Sequence, residues 1–300
     1  MGDFKILANT FCIGKKNSDN YKVLIDGNNK FRVPIFQRPY SWNESIITKF
    51  INDVLNSYMT SDTEVSKEPM FIGTMQLSKP ENNTYDVIDG QQRLTTLMLL
   101  FKVLNDVSNE KLSLNWLTTV VNNGEQQKSL SKILETPTEN ILEDNNNRYS
   151  QNTLIIRELL NERFDFNEES ISFQINELIE YIISSVYFVV IETHAGLSKT
   201  LQIFDTINTT GLDLNGGDIF KIRMYEYLTT KKQQKESVFE DISALYQKIE
   251  SKNKENNINI SVSQILNLYQ HSLISKYNLP TTLHKLNSTT FFNRNMEKFY

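Results

Sequence analysis

Over the first ninety residues apolar and polar positions alternate in short runs broken by turn formers, whereas from residue 91 onward apolar residues recur mostly at three- and four-residue spacing. A strand-rich opening therefore precedes a helix-rich remainder. Residues 21–25 alternate before a turn at Asp26-Gly27, and residues 31–36 form a second extended run that Pro34 keeps out of helix. These two runs predict a strand pair. Asn43 has the side chain to cap a helix that carries Ile46, Ile47, Phe50, Ile51, Val54 and Leu55 on one face. Residues 71–77 and 85–88 predict antiparallel strands joined through the turn formers Pro80, Glu81, Asn82 and Asn83. At Asp89-Gly90 the period changes, and residues 91 to about 107 predict a helix with Leu94, Leu97, Met98, Phe101 and Leu104 in a wide apolar stripe.

Residues 111–185 read as a helical insertion of polar-faced helices joined by loops. Residues 186–191 are a continuous β-branched and aromatic run, the pattern of a buried core strand. Ser198 is placed to cap a helix with Leu201, Phe204 and Ile207 inward, which stops where Asn208 and Gly211 accept left-handed geometry. Another helix is expected near Asp218, and three helical patterns follow residue 235. The last lacks a stop signal, which fits a chain cut before its natural end. The predicted class is α+β in three parts: an α/β core over 1–110, the helical insertion over 111–185, and a core strand followed by a helical region over 186–300.

At 300 residues the chain has ample length for a core without staples. Its formal charge of −5 excludes a surface that holds polyanions by net charge alone, so any nucleic-acid contact has to be local. A single cysteine, Cys12, excludes an intramolecular disulfide and a multi-cysteine zinc site and fits a reducing compartment. With no signal-peptide pattern and no run near the ~20 apolar residues of a membrane span, the expected location is cytoplasmic, with no membrane partner. His271, Asn278 and His284 stand in the order His-Asn-His, but His271 falls on an apolar helical pattern, with no hairpin to build the ββα frame such a nuclease needs. No nuclease module is read here.

The strongest chemical signal is the run Asp89-Gly90-Gln91-Gln92-Arg93, where a strand passes through a glycine turn into a helix whose first turn is polar. Orphan amides and the helix dipole make that end an anion site, and Arg93 adds a donor fork suited to phosphate oxygens. Beside an anion, Asp89 makes chemical sense if it holds Mg2+ or orients a water that Gln91 and Gln92 also position. An ordinary capped turn with exposed Gln and Arg is the open alternative. A second cluster, Phe36-Gln37-Arg38-Pro39-Tyr40-Ser41-Trp42, places aromatics around a Gln-Arg pair on an extended segment. Phe36, Tyr40 and Trp42 suit stacking on DNA bases, although aromatics before a helix also serve as core anchors. A third, residues 204–214, offers polar groups at a helix corner, or simply a satisfied left-handed cap.

In this order the three clusters resemble the N-terminal domain of GmrSD-type restriction endonucleases, whose pattern runs Gln-Arg-x-Tyr-x-Trp, then Asp-Gly-Gln-Gln-Arg-Leu-Thr, then Phe-x-x-Ile-Asn-x-x-Gly-x-x-Leu. The resemblance covers roughly residues 30–225. It implies a small mixed β-sheet core similar to ParB and sulfiredoxin, binding and hydrolysis of a nucleoside triphosphate (GTP or another) with Mg2+, and service in phage defence as the sensor of a modification-dependent restriction system. Carried onto the matching positions, it points to Asp89, Gln91, Gln92 and Arg93 as catalytic residues with Asp89 on the metal. Gln37, Arg38, Gly90, Thr95, Asn208 and Gly211 then line the nucleotide. The implied partners are modified DNA and an HNH-type nuclease domain or subunit, and a homodimer is compatible with the pattern. A non-catalytic module that recognises modified DNA or a nuclease partner is the alternative.

Overall fold

The computed structural model describes residues 5–15, 21–34, 37–61, 64–78, 83–108, 112–166, 170–194, 200, 220–221, 223–225, 227–228, 232, 238–288 and 290–292. The chain falls into two units, Met1–Ala195 and Gly196–Tyr300.

In the first unit the strands are β1 (Lys5–Cys12), β2 (Lys22–Val23), β3 (Lys30–Val33), β4 (Met59–Ser61), β5 (Glu64–Val65), β6 (Met70–Ser78), β7 (Thr84–Asp89), β8 (Leu117–Thr119) and β9 (Val186–His194). The helices are α1 (Glu44–Tyr58), α2 (Gln91–Val107), α3 (Glu125–Glu135), α4 (Arg148–Arg163) and α5 (Ile171–Ser185). Seven strands form one mixed sheet in the order β2-β1-β9-β6-β7-β3-β8, and β4 pairs with β5 separately. The class is mixed α and β, as expected.

Several local expectations hold. Asn43 caps α1 by accepting from Ile46 N–H at 3.1 Å. β6 and β7 are antiparallel neighbours, and β9 lies inside the sheet, antiparallel to β1 and parallel to β6. Its inward residues Val186, Phe188 and Val190 are buried, which is why this strand is apolar and β-branched along its length.

The expected pairing of residues 21–25 with 31–36 does not occur. β2 adds to β1, whereas β3 lies between β7 and β8. Asp26 turns the chain instead, its carboxylate accepting from the amides of Asn28 (2.9 Å) and Asn29 (2.8 Å). Seven residue steps from Val23 to Lys30 reach at most about 25 Å. Five strand spacings separate β2 from β3, about 24 Å across a flat sheet. A link that also contains a turn cannot span that distance, so the sheet curls and brings its two ends towards each other. The insertion also contributes more than helices: β8 extends the sheet beside β3.

Helix α2 is the axis of this unit. Fourteen of its residues are buried, including the polar Gln91, Gln92, Thr95 and Thr96, and it packs against α4 and α5. A polar first turn is thus held inside the fold, where each side chain must find a partner or a cavity.

In the second unit the helices Val238–Asn256 and Val262–Lys276 and the 3-10 turn Thr281–Lys285 are described. Phe220, Leu266, Leu273, Ile274, Phe291 and Phe292 make a small core of its own. Ser261 and Gln264 form a reciprocal capping box on the second helix. The helix expected from Ser198 through Ile207 lies outside the described residues, apart from buried Thr200. No described helix is long and apolar enough to cross a membrane.

Candidate functional site

Strand β7 delivers the chain to Gly90, which adopts φ +94° and passes it into α2. A side chain there is excluded twice over, by the left-handed backbone and because a Cβ would lie 2.9 Å from Met75 Cγ. With glycine at this position no side chain caps the helix, and its first internal bond is Leu94 N–H to Gly90 C=O at 3.0 Å. The amides of Gln91, Gln92 and Arg93 are therefore orphan donors at the positive end of a buried helix.

The side chains of the motif then diverge. Gln91 Nε2 donates to Gln37 Oε1 at 3.0 Å, and Gln37 Nε2 donates to Ile88 C=O at 2.8 Å and to Val87 C=O at 3.3 Å. Gln37 thus couples the end of β7 to the start of α2. Gln92 turns into the fold: its Oε1 accepts from Ser41 N–H (2.9 Å) and Trp42 N–H (3.3 Å), and its Nε2 donates to Pro39 C=O (3.1 Å). Arg93 points towards β6, where Nη1 donates to Ile72 C=O at 3.2 Å and Nη2 meets Asp89 Oδ2 at 3.4 Å. Space for it comes from Gly73, at an irregularity in the β6–β9 pairing with φ +114°, where a Cβ would sit 2.0 Å from Arg93 Nη1.

One turn along α2 from Gln91, Thr95 faces the same way. Both are more than nine-tenths buried, at 8% and 6% exposure, and with Arg38 they line a small recess with room for about one water. Among the described residues Arg38 makes no ion pair or hydrogen bond, and neither the Thr95 hydroxyl nor Gln91 Oε1 has a hydrogen-bond partner. Val33, Leu130 and Tyr149 supply apolar and aromatic wall. Asp89 and Arg93 do not line this recess, so the structure joins Arg38, Gln91 and Thr95 in one place and the Asp89–Arg93 pair in another.

Tyr40 does not stand on a DNA-facing surface. It is 6% exposed, its ring stacks on Tyr149 (centroids 5.1 Å apart), and its hydroxyl meets Thr96 Oγ1 at 2.8 Å and Asn152 Nδ2 at 3.0 Å. Burial pushes its pKa upward, so it remains a neutral core tyrosine. Trp42 is half-buried against Phe50, with centroids 5.5 Å apart. Both act as anchors for the segment that presents Arg38. Phe36, Asn208 and Gly211 lie outside the described residues. Tyr149 and Leu130, from the insertion, were not legible as site residues, because no spacing in the sequence links them to the motif.

Among the described residues no group of three or more His, Cys, Asp or Glu could hold a metal ion. Asp89 offers one carboxylate, a donor set that fits Mg2+ shared with phosphate and water rather than a protein cage.

Fold and site together define a mixed α/β domain built around a helix that opens, uncapped, beside a cationic recess. The model of the GmrSD restriction endonuclease N-terminal domain matches residues 21–225, more than half of the chain, and the chain belongs to that family. Among curated proteins nothing matches the sequence.

Proposed function

We propose that this domain binds and hydrolyses a nucleoside triphosphate, GTP or another, and that its nucleotide state regulates cutting by an HNH-type nuclease domain or subunit in a modification-dependent restriction system. The observation that carries this reading is the recess where, among the described residues, an unpaired guanidinium (Arg38), an uncommitted amide oxygen (Gln91) and an unpartnered hydroxyl (Thr95) meet beside the orphan amides of α2. That set binds a polyanion and still has a polar oxygen left to orient a water.

In this reading the amides of residues 91–93 and Arg38 bind phosphate oxygens, Thr95 donates to one of them, and Gln91 Oε1 orients the attacking water. Gln37 holds Gln91 in place, and Gln92 positions the Arg38 segment without touching the ligand. Asp89, released from Arg93, would hold Mg2+, which supplies charge neutralisation between phosphates. Arg93 is then free to turn towards the charge developing in the transition state. Gly90 permits the close approach of phosphate to backbone. Modified DNA remains the proposed stimulus and a homodimer a compatible assembly, with cytoplasmic location in keeping with the single buried Cys12. Burial of Tyr40 removes one of the three aromatics on which a purely DNA-reading module would depend.

The test is phosphate release from a panel of triphosphates with Mg2+ and with chelator, for wild type, Arg38→Ala and Arg93→Ala. Loss of one charge-stabilising contact should slow turnover by ~10²–10³. Arg38→Ala should keep the wild-type melting temperature, since its side chain is exposed and unbonded. If no triphosphate is turned over or raises the melting temperature, the reading fails.

A further inference from the structure

His271 and His284 remain outside everything proposed for the α2 site. His271 lies on the helix Val262–Lys276 and His284 on the 3-10 turn Thr281–Lys285, and the fold brings their exposed side chains face to face. The ring centroids lie 4.6 Å apart with planes 18° from parallel, and the rings meet edge to edge with their two Nδ1 atoms in close contact. Among the described residues neither imidazole has another hydrogen-bond partner, so each ring nitrogen facing its neighbour is committed only to the other histidine.

The turn that carries His284 is held in place from beneath. Gln270, adjacent to His271 in the chain and 1% exposed, donates from Nε2 to Leu283 C=O at 2.9 Å and to Leu286 C=O at 3.1 Å. Both carbonyls flank His284. The backbone is thus preorganised with two imidazoles converging, while the rings themselves stay at the surface.

We propose that His271 and His284 form a two-histidine site for a divalent transition-metal ion of the imidazole-preferring class, with Zn2+ as its representative. Without a metal the two Nδ1 atoms share one proton in an N–H···N hydrogen bond; a metal ion would take that proton's place and release it to solvent. A cation there uses both pairs, and water fills its remaining positions. Zn–N bonds of about 2.0–2.1 Å place two tetrahedral ligand nitrogens ~3.3 Å apart, so the rings must separate and rotate to aim both lone pairs at the ion, which exposed side chains allow. The bound ion would staple the turn to the helix across thirteen residues. Preorganisation by Gln270 reduces the ordering cost that weakens most two-ligand surface sites.

The experiment is calorimetric titration of the full chain, free of any affinity tag, with Zn2+ in non-chelating buffer, for wild type, His271→Ala, His284→Asn and the double variant. Circular dichroism checks that each variant is folded. One equivalent bound by wild type and lost in each single variant supports the site. Absence of binding by wild type, or one equivalent retained in the double variant, overturns it. Imidazole NMR resonances give a second readout: Zn2+ at constant pH should shift His271 and His284 and leave His194 in place, and equal shifts of all three would also overturn it.

Discussion

Gln92 Oε1 accepts a hydrogen bond of 2.9 Å from the backbone N–H of Ser41, and its Nε2 donates to Pro39 at 3.1 Å. One side chain thereby ties the extended segment that presents Arg38 to the helix that presents Gln91 and Thr95. Asn152 closes the same junction from α4, donating to the Tyr40 hydroxyl and, at 2.9 Å, to Trp42 C=O. The place of a glutamine in the middle of the motif is explained by architecture, without contact to a ligand.

Replacing Gln92 by Ala should leave the Ser41 amide and Pro39 carbonyl without these partners and lower stability by about 1–3 kcal/mol. Gln92→Glu keeps the acceptor and loses the donor, so it should fall between Ala and wild type. Thermal denaturation followed by circular dichroism measures both. An unchanged melting temperature in Gln92→Ala would refute the clamp.

Gly73→Ala puts a methyl where the Arg93 guanidinium now lies, at a backbone angle that alanine rarely adopts. Arg93 must then leave Ile72 and Asp89. The expected outcome is a lower melting temperature together with altered triphosphate turnover, whereas a Gly27→Ala control, with open space around it, should show only the backbone cost. Identical turnover in the two variants would dissociate Gly73 from Arg93.

Tyr40→Phe removes a hydroxyl that bridges α2 and α4 and should cost about 0.5–1.5 kcal/mol. Because the ring is covered by Tyr149, DNA affinity in a salt-controlled binding assay should not change. A weaker DNA complex with an unchanged melting temperature would return Tyr40 to the surface role expected from sequence.

Alkaline stability has a defined limb. Burial, and next the Glu177 carboxylate, pushes Tyr58 up to about 12, and burial pushes Tyr181 up to about 12 from the ordinary value of 10.0. Their rings are 5.3 Å apart. The unfolded chain releases these protons near pH 10 and the folded one only near 12, so their contribution is complete below 10 and lost as pH rises through 12. Melting temperatures between pH 8 and 12 should fall over that window, and Tyr58→Phe should fall less steeply. Parallel curves would show that Tyr58 does not contribute.

Short-range pattern was enough for the β6–β7 pair, the start of α2 after Gly90, the cap at Asn43 and the core strand β9, because each depends on local period and on residues adjacent in the chain. The three motifs were legible for the same reason, and with them the family. Helix geometry alone also separates Gln91, Gln92 and Arg93 by about 100° each, so they could never all have faced one ligand from their present rotamers. What each one meets was decided only by the tertiary structure. Gln92 finds the backbone of residues 39–42, Arg93 finds the gap at Gly73, and Gln91 finds a recess walled by Tyr149 and Leu130 from an insertion with no motif of its own. Strand partners were likewise out of reach, as β2 and β3 show: alternation marks a strand's faces, but its neighbours are selected by long-range burial, here in a sheet that places β2 and β3 five strands apart.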